Sequence, residues 1–233
     1  MAKSNKTIQT EQGERYGLFG ASGSGKTTKA RELIRNSGRL IIFDSVKGEW
    51  AQNALDWLGR GAAVVDNFGD FVDVLQRKWQ KGFKIVFRPQ FGREIEDLHN
   101  LASIIWQAQA GFGALHNAKI TLFVDEAQEG APSGLKYKFP NHGALRLATM
   151  GRGRGINFIV ASQRIKSVDI NIRSNLTGIF IFRLSDLADI QEARRILLGK
   201  GDAGEIPNFS YFYKDQNGKI NFFQKKCKIL RNT

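Results

Sequence analysis

Residues 16–34 read YGLFGASGSGKTTKARELI, and this stretch decides the fold. Its central run, GASGSGKT, extends from Gly20 to Thr27 and satisfies the pattern G-x-x-x-x-G-K-[S/T] in full. The apolar run RYGLF precedes it with strand character, and KTTKARELIRNSG follows it with apolar residues at helical spacing. A strand, a glycine-rich loop and a helix in this order are the setting in which such a loop holds phosphate groups.

The residue types in this loop indicate which part of a nucleotide it would hold. Glycines let the backbone fold around an anion, so that successive N–H groups and the helix N-terminus point at the phosphates. We expect Lys26 to reach the β- and γ-phosphates of ATP, Thr27 to offer its hydroxyl to Mg²⁺, and Thr28 to cap the turn or contact the α-phosphate. The expected phosphate-binding residues are Gly20, Ala21, Ser22, Gly23, Ser24, Gly25, Lys26, Thr27 and Thr28.

The composition limits the classes of protein that fit. A chain of 233 residues, 42% of them hydrophobic, suits one α/β domain, and we expect a polar tail at 1–14 followed by a single domain at 15–233. No apolar run is long enough to cross a bilayer, and the polar N-terminus lacks a signal-peptide core, which predicts a cytoplasmic protein. The single cysteine, Cys227, excludes an internal disulfide, and the three scattered histidines argue against a metal cage.

The charge balance indicates a polyanionic partner. The chain has 35 Lys and Arg against 22 Asp and Glu, which gives a net charge of +13 and a pI of about 10.0. Such a field favours nucleic acid through counterion release, although a basic surface can also serve solubility alone. Together with the nucleotide loop, the charge favours a nucleic-acid partner.

Strand-like and helix-like segments alternate along the chain, which is typical of a mostly parallel sheet flanked by helices on both faces. Strands are predicted at RYGLF, RLIIFD, AAVVD, FKIVFR, KITLFVD, INFIVAS and GIFIFRL. Helices are predicted at EWAQNALDWLG, FGDFVDVLQRKWQ, REIEDLHNLASIIWQAQAGF and SDLADIQEARRILLG. In the third helix, helical spacing assigns four residues to the core: Ile95, Leu98, Ala102 and Ile105.

Two further segments have distinct patterns. Near the C-terminus, YFYKDQNGKINFFQ consists of two alternating runs around Asn217 and Gly218, which predicts a β-hairpin with a primed turn. The segment 129–143, EGAPSGLKYKFPNHG, is rich in glycine, proline and lysine, and we expect an exposed insertion between a strand and a helix.

Acidic and polar residues come directly after two of the predicted strands. The strand in ITLFVDEAQ ends in Asp125 and Glu126, which suit Mg²⁺ binding and the activation of an attacking water, respectively. The next strand, INFIVASQR, delivers Ser162 and Gln163 to the same edge, where Gln163 is placed to respond to the γ-phosphate. Ordinary turn residues at the first strand and a solvated end of the second are the alternative interpretations.

Arginines lie between these two strands, in ALRLATMGRGRG. We expect Arg146, Arg152 and Arg154 to follow a short helix, with Arg152 and Arg154 in a glycine-rich loop that is mobile and exposed. Arginine stabilises charge on a transferring phosphoryl group, either in its own subunit or in a neighbouring one. Arg152 and Arg154 are therefore candidate catalytic residues, and contacts to a DNA backbone or a plain basic loop are the alternative interpretations.

The order of these motifs resembles the FtsK-HerA superfamily of P-loop DNA-pumping ATPases. The resemblance extends from Tyr16 to Leu198 through GASGSGKT, FDSVKGEW, FVDE, RGRGINFIVASQR and IRSNLTGIFIFRL. The superfamily commonly has D-P-K/H-G-E after the second strand, and this chain matches it at Asp44, Lys47, Gly48 and Glu49 but departs at Ser45 and Val46. The triplet Ser162, Gln163 and Arg164 matches its T/S-Q-R pattern.

The resemblance implies a P-loop NTPase fold and a mechanism shared between subunits. An arginine about one helix past the acidic pair usually serves the adjacent subunit, a role that maps best onto Arg152 and next onto Arg154. A compact, basic chain of one domain looks most like the genome-packaging ATPases of tailless viruses with an internal membrane, of the tectivirus kind. This implies a ring, commonly hexameric, that threads double-stranded DNA into a preformed capsid in the host cytoplasm.

The same resemblance implies partners at a capsid vertex or in a viral membrane, and association with the virion. Within the chain, the expected DNA-gripping residues are Lys136, Lys138, Lys166 and Arg173, for which plain solvated surface is the alternative. We have no interpretation of the insertion at 129–143 from the superfamily motifs.

Other functions remain open from the sequence. A cellular HerA-like pump or a conjugative coupling protein generally carries an extra domain or membrane helices, and a Zot-type phage assembly ATPase usually needs a membrane span. A small-molecule P-loop kinase with GRGRG as its lid would not need a charge of +13. A DNA-binding protein that uses ATP only as an assembly switch would not need the pair of acids at 125 and 126. An ABC-type ATPase is disfavoured because the sequence contains no L-S-G-G-Q signature.

Overall fold

The computed structural model describes residues 13–45, 48–109, 118–134 and 142–224. Their strands form one nine-stranded sheet in the order β3-β4-β2-β5-β6-β1-β7-β8-β9. Strands β1 to β7 run parallel to one another, and β8 and β9 extend the sheet beyond β7 in antiparallel pairs. The strands are β1 (Arg15–Phe19), β2 (Arg39–Asp44), β3 (Ala62–Val65), β4 (Phe83–Phe87), β5 (Ile120–Asp125), β6 (Ile156–Ser162), β7 (Gly178–Ile181), β8 (Tyr211–Lys214) and β9 (Ile220–Phe223).

Helices connect the strands. A 3₁₀ helix, Gly151–Arg154, directly precedes β6. The described α-helices are α1 (Lys26–Ile34), α2 (Glu49–Gln52), α3 (Ala54–Leu58), α4 (Phe68–Lys78), α5 (Glu94–Ala108), α6 (Ala127–Gly130), α7 (Gly143–Met150), α8 (Ile170–Ser174) and α9 (Leu187–Ile196). In this part of the chain, no helix has both the length and the apolar character needed to span a bilayer. The predicted α/β fold, with its parallel sheet and C-terminal hairpin, is confirmed.

The central strands are apolar throughout because helices cover both faces of the sheet. On β2, Ile41 and Phe43 point to the face covered by α4 and α5, while Ile42 points to the face covered by α1 and α2. All three side chains are fully buried. Trp50 of α2 is also fully buried and packs edge-on against Phe123 of β5, with ring centroids 5.1 Å apart. The sheet therefore forms a stiff platform whose carboxyl edge carries the polar residues.

Two predicted helices differ in detail from the structure. The helix predicted over EWAQNALDWLG is two short helices, which meet at Asn53, where the backbone leaves helical geometry at φ −105° and ψ 15°. In α5, Ile95 was assigned to the core but is 37% exposed. It lies in the first turn, where the buried group is Asp97, whose carboxylate accepts a hydrogen bond from the Gln90 N–H at 2.9 Å.

The hairpin is present, but its predicted primed turn is wrong. The described non-glycine residues with positive φ do not include Asn217, whereas Gly218 has φ 78°. The Asp215 side chain accepts hydrogen bonds from the N–H groups of Asn217 and Lys219, both at 2.9 Å. A type I turn with a left-handed glycine after it therefore closes a longer loop than the sequence suggested.

The edges of two predicted segments pack into the domain. Of the predicted tail, Gly13 is buried and donates its N–H to the Arg152 carbonyl at 3.1 Å. Of the predicted insertion at 129–143, Gly130 lies in α6 and Gly143 begins α7, and both are buried. Residues 135–141 of that insertion, with Lys136 and Lys138, lie outside the described residues, as do 1–12, Lys47, His116 and Cys227.

His142 forms the N-cap of α7. Its Nδ1 atom accepts a hydrogen bond from the Leu145 N–H at 3.1 Å, and the residue is only 6% exposed. Burial, with a smaller contribution from His99 nearby, lowers the pKa of His142 from 6.5 to about 4. The folded protein therefore holds this imidazole neutral at a pH where the unfolded chain protonates it.

We predict that His142→Asn makes the protein less sensitive to acid. Because the folded pKa of His142 is depressed, its stabilising contribution is present above pH 6.5 and is lost as the pH falls toward 4. Asn retains a side-chain acceptor for the helix N-terminus but does not titrate. Between pH 7 and pH 4.5, wild type should lose about 2 kcal/mol more unfolding free energy than His142→Asn, as measured by urea denaturation. Equal losses in the two proteins would contradict the prediction.

Candidate nucleotide-binding and hydrolysis site

The carboxyl ends of parallel strands β1, β2, β5, β6 and β7 lie at one edge of the sheet. In the pairing register, Asp44 lies opposite Asp125 and Phe19 lies opposite Ser162. The Gly20 N–H donates to the Ser162 carbonyl at 3.2 Å, which ties the start of the glycine-rich loop to the end of β6. The fold therefore brings the predicted loop, the acidic pair and the Ser162–Gln163 pair to one place, where open α/β sheets bind ligands.

The glycine-rich loop has the conformation that its sequence predicts. Gly23 and Gly25 have φ values of 71° and 112°, which side-chain-bearing residues rarely adopt. Lys26 begins α1, and its Nζ atom donates to the Gly20 carbonyl at 2.7 Å and to the Ala21 carbonyl at 3.1 Å. The ammonium group thus lies over the loop, with the N-terminus of α1 behind it, which is a suitable arrangement for a polyphosphate.

Two other segments hold this loop in place. At the end of β7, the Arg183 carbonyl accepts a hydrogen bond from the Ala21 N–H at 2.7 Å. From the segment before β8, the Phe209 N–H donates to the Ser24 carbonyl at 2.8 Å. A Cβ atom on Gly20 would lie 2.5 Å from the Phe182 Cβ atom, so only glycine fits at the start of the loop.

Glu126 is a buried carboxylate in an unusual backbone conformation. Its φ and ψ of 48° and 59° are left-handed, and the residue is 8% exposed. Its Oε1 atom accepts a hydrogen bond from Gln163 Nε2 at 2.6 Å, and its Oε2 atom accepts one from Gln128 Nε2 at 3.0 Å. Backbone strain of this kind persists where surrounding contacts enforce it and concentrates at functional sites. Both carboxylate oxygens are thus oriented by amide groups from neighbouring segments.

Asp125 lies beside two other acids in a desolvated setting. Burial, followed by the proximity of Glu126 and Asp44, raises the pKa of Asp125 from 3.8 to about 6. The indole N–H of Trp50 donates to its Oδ2 atom at 3.1 Å and partly offsets this effect. Burial also raises the pKa of Asp44, which accepts a hydrogen bond from the Ala51 N–H at 2.8 Å. A cluster of acids held in this way favours a bound cation.

The donor set fits a Mg²⁺ ion that arrives with a nucleotide. Within the ranges that the structure describes, no group of three or more His, Cys, Asp or Glu residues is arranged to hold a metal by itself. Mg²⁺ is usually held by one or two carboxylates together with substrate phosphates and water, not by a cage of protein groups. Thr27 in the first turn of α1 and Asp125 at the end of β5 supply donors of that kind at this edge.

The arginine of the Ser-Gln-Arg triplet has a structural role in this conformation. Arg164 forms ion pairs with Asp186 at 2.9 Å and with the buried Asp189 at 3.1 Å. Its backbone N–H donates to the Ser162 hydroxyl at 3.0 Å. The triplet therefore fixes the chain as it leaves β6, which sets the position of Gln163.

The structure corrects the expectation that Arg152 and Arg154 lie in an exposed loop. Both belong to the 3₁₀ helix Gly151–Arg154, and both are half-buried. The guanidinium carbon of Arg154 lies 3.7 Å from the centroid of the Trp106 ring, and its Nη1 donates to the Trp106 carbonyl at 3.2 Å. Because this helix precedes β6, it lies at the amino edge of the sheet, opposite the glycine-rich loop of the same chain.

The described candidates for DNA contact differ in their surroundings. Lys166 lies two positions past the Ser-Gln-Arg triplet and is exposed. Arg173 of α8 forms an ion pair with Glu192 at 2.8 Å and donates to the Val168 carbonyl at 3.0 Å, with its side chain only 11% exposed. An arginine held in this way is a poor candidate for gripping DNA, and Lys166 remains the better one.

Three residues at the site were missed by sequence reasoning. Trp50 was not among the predicted site residues, yet its indole N–H donates to Asp125. Gln128 lies two positions past the acidic pair in DEAQ, and that spacing was the available signal for a group that returns to Glu126. Arg183 comes directly after the Phe182 that ends GIFIF, and its side chain is exposed next to the glycine-rich loop.

The loop geometry predicts binding of inorganic tripolyphosphate, which has no base or sugar. At saturation, tripolyphosphate should raise the Tm of wild type by about 5 °C, because a ligand that binds only the folded state stabilises it. Lys26→Ala should lose most of this shift in a thermal scan.

The matched control is Lys78→Ala. Lys78 donates to the Gly61 carbonyl just before β3, at the amino edge of the sheet, and its replacement should leave the shift intact. An equal reduction in both variants would show that general charge and not the loop holds the anion.

The chain was compared with known protein families, sequences and structures. No model of a known protein family matches the chain. Uncharacterized protein 088R of Invertebrate iridescent virus 3 is 26% identical over 204 residues, which cover 87% of this chain; the chain spans 64% of the length of that relative.

Three solved structures are similar in fold. The genome packaging NTPase B204 of Sulfolobus turreted icosahedral virus 2, in complex with AMP, has a TM-score of 0.67 at 14% identity, covering 91% of this chain and 97% of that chain. B204 of Sulfolobus Turreted Icosahedral Virus, described as a DNA-packaging ATPase, has a TM-score of 0.65 at 15% identity, covering 92% and 98%. ATPases 2 and 3 of EssC from Geobacillus thermodenitrificans have a TM-score of 0.55 at 14% identity, covering 91% and 39%. The chain therefore shares the P-loop NTPase fold of these structures, as the sequence predicted.

Proposed function

We propose that this chain is an ATPase that moves double-stranded DNA and acts as a ring of identical subunits in viral genome packaging. The observation that carries the proposal is the meeting, at one sheet edge, of the Lys26 loop with a Glu126 carboxylate held by two amides. Its fold similarity to a genome packaging NTPase supports the choice of task. A net charge of +13 suits a polyanionic partner.

The hydrolytic step is derived from the arrangement of these groups. Lys26 and the loop N–H groups bind the phosphates of ATP, and Mg²⁺ held by Thr27 and Asp125 would neutralise charge on the β- and γ-phosphates. Glu126 accepts the proton of the attacking water. The water would join the Gln163 and Gln128 amides as a donor to this carboxylate, whose two oxygens already accept hydrogen bonds from them.

Gln163 links nucleotide state to the catalytic carboxylate in this proposal. Its side-chain amide donates to Glu126 at 2.6 Å. A γ-phosphate offers oxygens that compete for the same donor, so its arrival releases Glu126 and its loss restores the bond. The switch between two hydrogen-bond partners biases two conformations of the segments after β5 and β6, which is the physical requirement for coupling to movement.

In this proposal an arginine stabilises the charge on the γ-phosphate. The arginines of the 3₁₀ helix lie too far away to do so within their own subunit. Arg152 lies at the opposite edge of the sheet, so it can reach only the nucleotide of a neighbouring copy. Of the two candidates, Arg154 is engaged with the Trp106 ring and carbonyl. We therefore assign the trans role to Arg152 in a homo-oligomeric ring, with six subunits favoured by the resemblance.

The proposed setting rests on the same resemblance. The ring works in the host cytoplasm or on the virion, and it docks on a capsid vertex or viral membrane protein. A cellular HerA-like or conjugative DNA pump is the second candidate within the same mechanism. A small-molecule P-loop kinase differs from both, because it transfers the phosphoryl group to an acceptor other than water and needs no DNA.

We predict that double-stranded DNA stimulates ATP hydrolysis by the wild-type protein. Lys26→Ala should abolish this activity by weakening nucleotide binding, and Glu126→Gln should reduce kcat at least about 100-fold by removing the general base while keeping hydrogen-bond capacity. Phosphate release with and without DNA measures both effects. Turnover that is indifferent to DNA, with the phosphoryl group recovered on a small acceptor, would reject the motor and support the kinase.

Mixing two inactive variants tests the shared site. Arg152→Ala subunits retain Glu126, and Glu126→Gln subunits retain the arginine, so a mixed ring contains some interfaces with both groups. We expect the mixture to recover part of the DNA-stimulated activity that each variant lacks alone. Arg154→Ala is the matched control: because Arg154 contacts Trp106, its loss should leave much of the activity intact. A mixture as inactive as its components would reject a site shared between subunits.

A further inference from the structure

We infer that three basic segments at the amino edge of the sheet form a surface that contacts the phosphate backbone of double-stranded DNA. This inference rests on the proposed DNA-moving function and names the residues through which the chain would hold that partner. The segments lead into β2, β3 and β4 at 35–39, 59–61 and 77–84, and we call them together the amino-edge surface. They contain no acidic residue and seven basic ones: Arg35, Arg39, Arg60, Arg77, Lys78, Lys81 and Lys84.

The sheet brings the three segments together. β3, β4 and β2 are adjacent, and they start in register, with Arg39 opposite Phe83 and Ala62 opposite Lys84. The Phe83 N–H donates to the Gly38 carbonyl at 3.0 Å, which joins the first segment to the third. Because neighbouring strands lie about 4.8 Å apart, the amino-edge surface extends over about 10 Å, enough to face about three phosphates of one DNA strand.

Some of the basic side chains hold the surface together. Lys78 Nζ donates to the Gly61 carbonyl at 3.0 Å, and Lys84 Nζ donates to the Leu58 carbonyl at 2.9 Å. Arg39 likewise donates from Nε to a backbone carbonyl of the third segment at 3.0 Å. These side chains fix the entries to β2 and β3, so the remaining bases project from a rigid frame.

Three further bases have no internal counter-charge. Arg35, Arg60 and Lys81 are exposed, and none of them forms an ion pair with another residue that the structure describes. Arg60 lies between Gly59 and Gly61, where an added Cβ atom would meet nothing within 4 Å. The backbone beside Arg60 is therefore open to close approach by a ligand.

The helix dipole explains only part of this charge. The exposed carbonyl groups at the end of a helix favour basic residues in its last turn. Arg77 and Lys78 lie in the last turn of α4. Arg60 and Lys81 lie beyond the ends of α3 and α4, where the effect of the dipole has fallen off. Their charges are available to an external anion.

The chemistry of the surface favours nucleic acid over a protein partner. The cores of protein interfaces are apolar, rich in aromatic residues and poor in lysine. In the three segments, all of whose residues the structure describes, no large apolar side chain is exposed: Trp79 and Phe83 are 5% and 4% exposed. Exposed arginine and lysine without an apolar centre suit the sugar-phosphate backbone, which they contact independently of sequence.

The amino-edge surface is connected to the nucleotide site without overlapping it. α1 begins at Lys26, beside the glycine-rich loop, and ends at Ile34, next to Arg35. β2 runs from Arg39 to Asp44, which lies at the carboxyl edge. One subunit can therefore bind ATP and DNA together at opposite edges of the sheet. A movement of α1 or β2 at one ligand would be transmitted to the other.

Arg60→Gln combined with Lys81→Gln tests the surface. Binding of a short labelled duplex is measured by fluorescence anisotropy over a series of salt concentrations. We expect this double variant to bind at least about tenfold more weakly than wild type at low salt. The slope of log affinity against log salt should become shallower by about two, because each lost phosphate contact releases about one counterion fewer.

The matched control is Lys200→Gln combined with Lys219→Gln. Both lysines are exposed, neither forms an ion pair with a described residue, and they lie on the β7–β9 side of the sheet. The control therefore removes the same net charge from another part of the protein. Its DNA affinity and salt slope should stay close to those of wild type.

The outcomes distinguish the surface from the proposed function. Equal DNA affinity in the two double variants would overturn the amino-edge surface and leave the motor standing. A wild type that does not bind duplex DNA would overturn both. DNA binding that only the first double variant loses, without DNA-stimulated hydrolysis in wild type, would support the surface and reject the motor. If sedimentation shows that the first double variant loses a subunit association present in wild type, the surface contacts a second copy, and the inference is overturned.

Discussion

A buried carboxylate needs hydrogen-bond donors, and the way Glu126 obtains them sets the geometry of the whole site. One donor, Gln163, comes from the end of the neighbouring strand, and the other, Gln128, comes from the short helix that Glu126 itself caps. These bonds join the ends of β5 and β6 and hold Glu126 in a left-handed conformation. Because the start of the glycine-rich loop is bonded to β6 through Ser162, the carboxylate and the loop keep a fixed relation.

The acids at this edge of the sheet lower the stability of the protein and at the same time favour the binding of a cation. Asp44 and Asp125 are paired in register and both have raised pKa values, so keeping them charged at neutral pH destabilises the folded protein when it is alone. Trp50 and the Ala51 N–H reduce that cost by donating to the two carboxylates. A cation that binds together with a nucleotide would offset the remaining electrostatic cost. The same acids that destabilise the protein by itself would therefore stabilise its complex with nucleotide and cation.

Local rules were enough to predict most of the fold and much of the site from the sequence. The glycine pattern, the apolar strands and the acids at strand ends all lie in consecutive residues, and the parallel sheet then requires that they meet. Contacts between distant segments were not predictable in this way. Trp50 reaches Asp125 across 75 positions, and Phe209 reaches Ser24 only because β7 and β8 bring it back to the loop. The hairpin turn also depends on hydrogen bonds to the Asp215 side chain, whereas the sequence prediction considered only the Asn-Gly pair.

The position of the arginines relative to the sheet is the strongest constraint on the assembly that we propose. In a parallel sheet, segments that enter the strands and segments that leave them lie at opposite edges, so the 3₁₀ helix before β6 and the loop after β1 are separated within one subunit. Arg154 is engaged with Trp106, and Arg15, whose pKa is lowered by burial and by the nearby Arg152, shows that positive charge is concentrated there. Concentrated positive charge at a surface is relieved by an anion. In the proposed ring, a second copy of this chain with ATP in its loop would supply that anion.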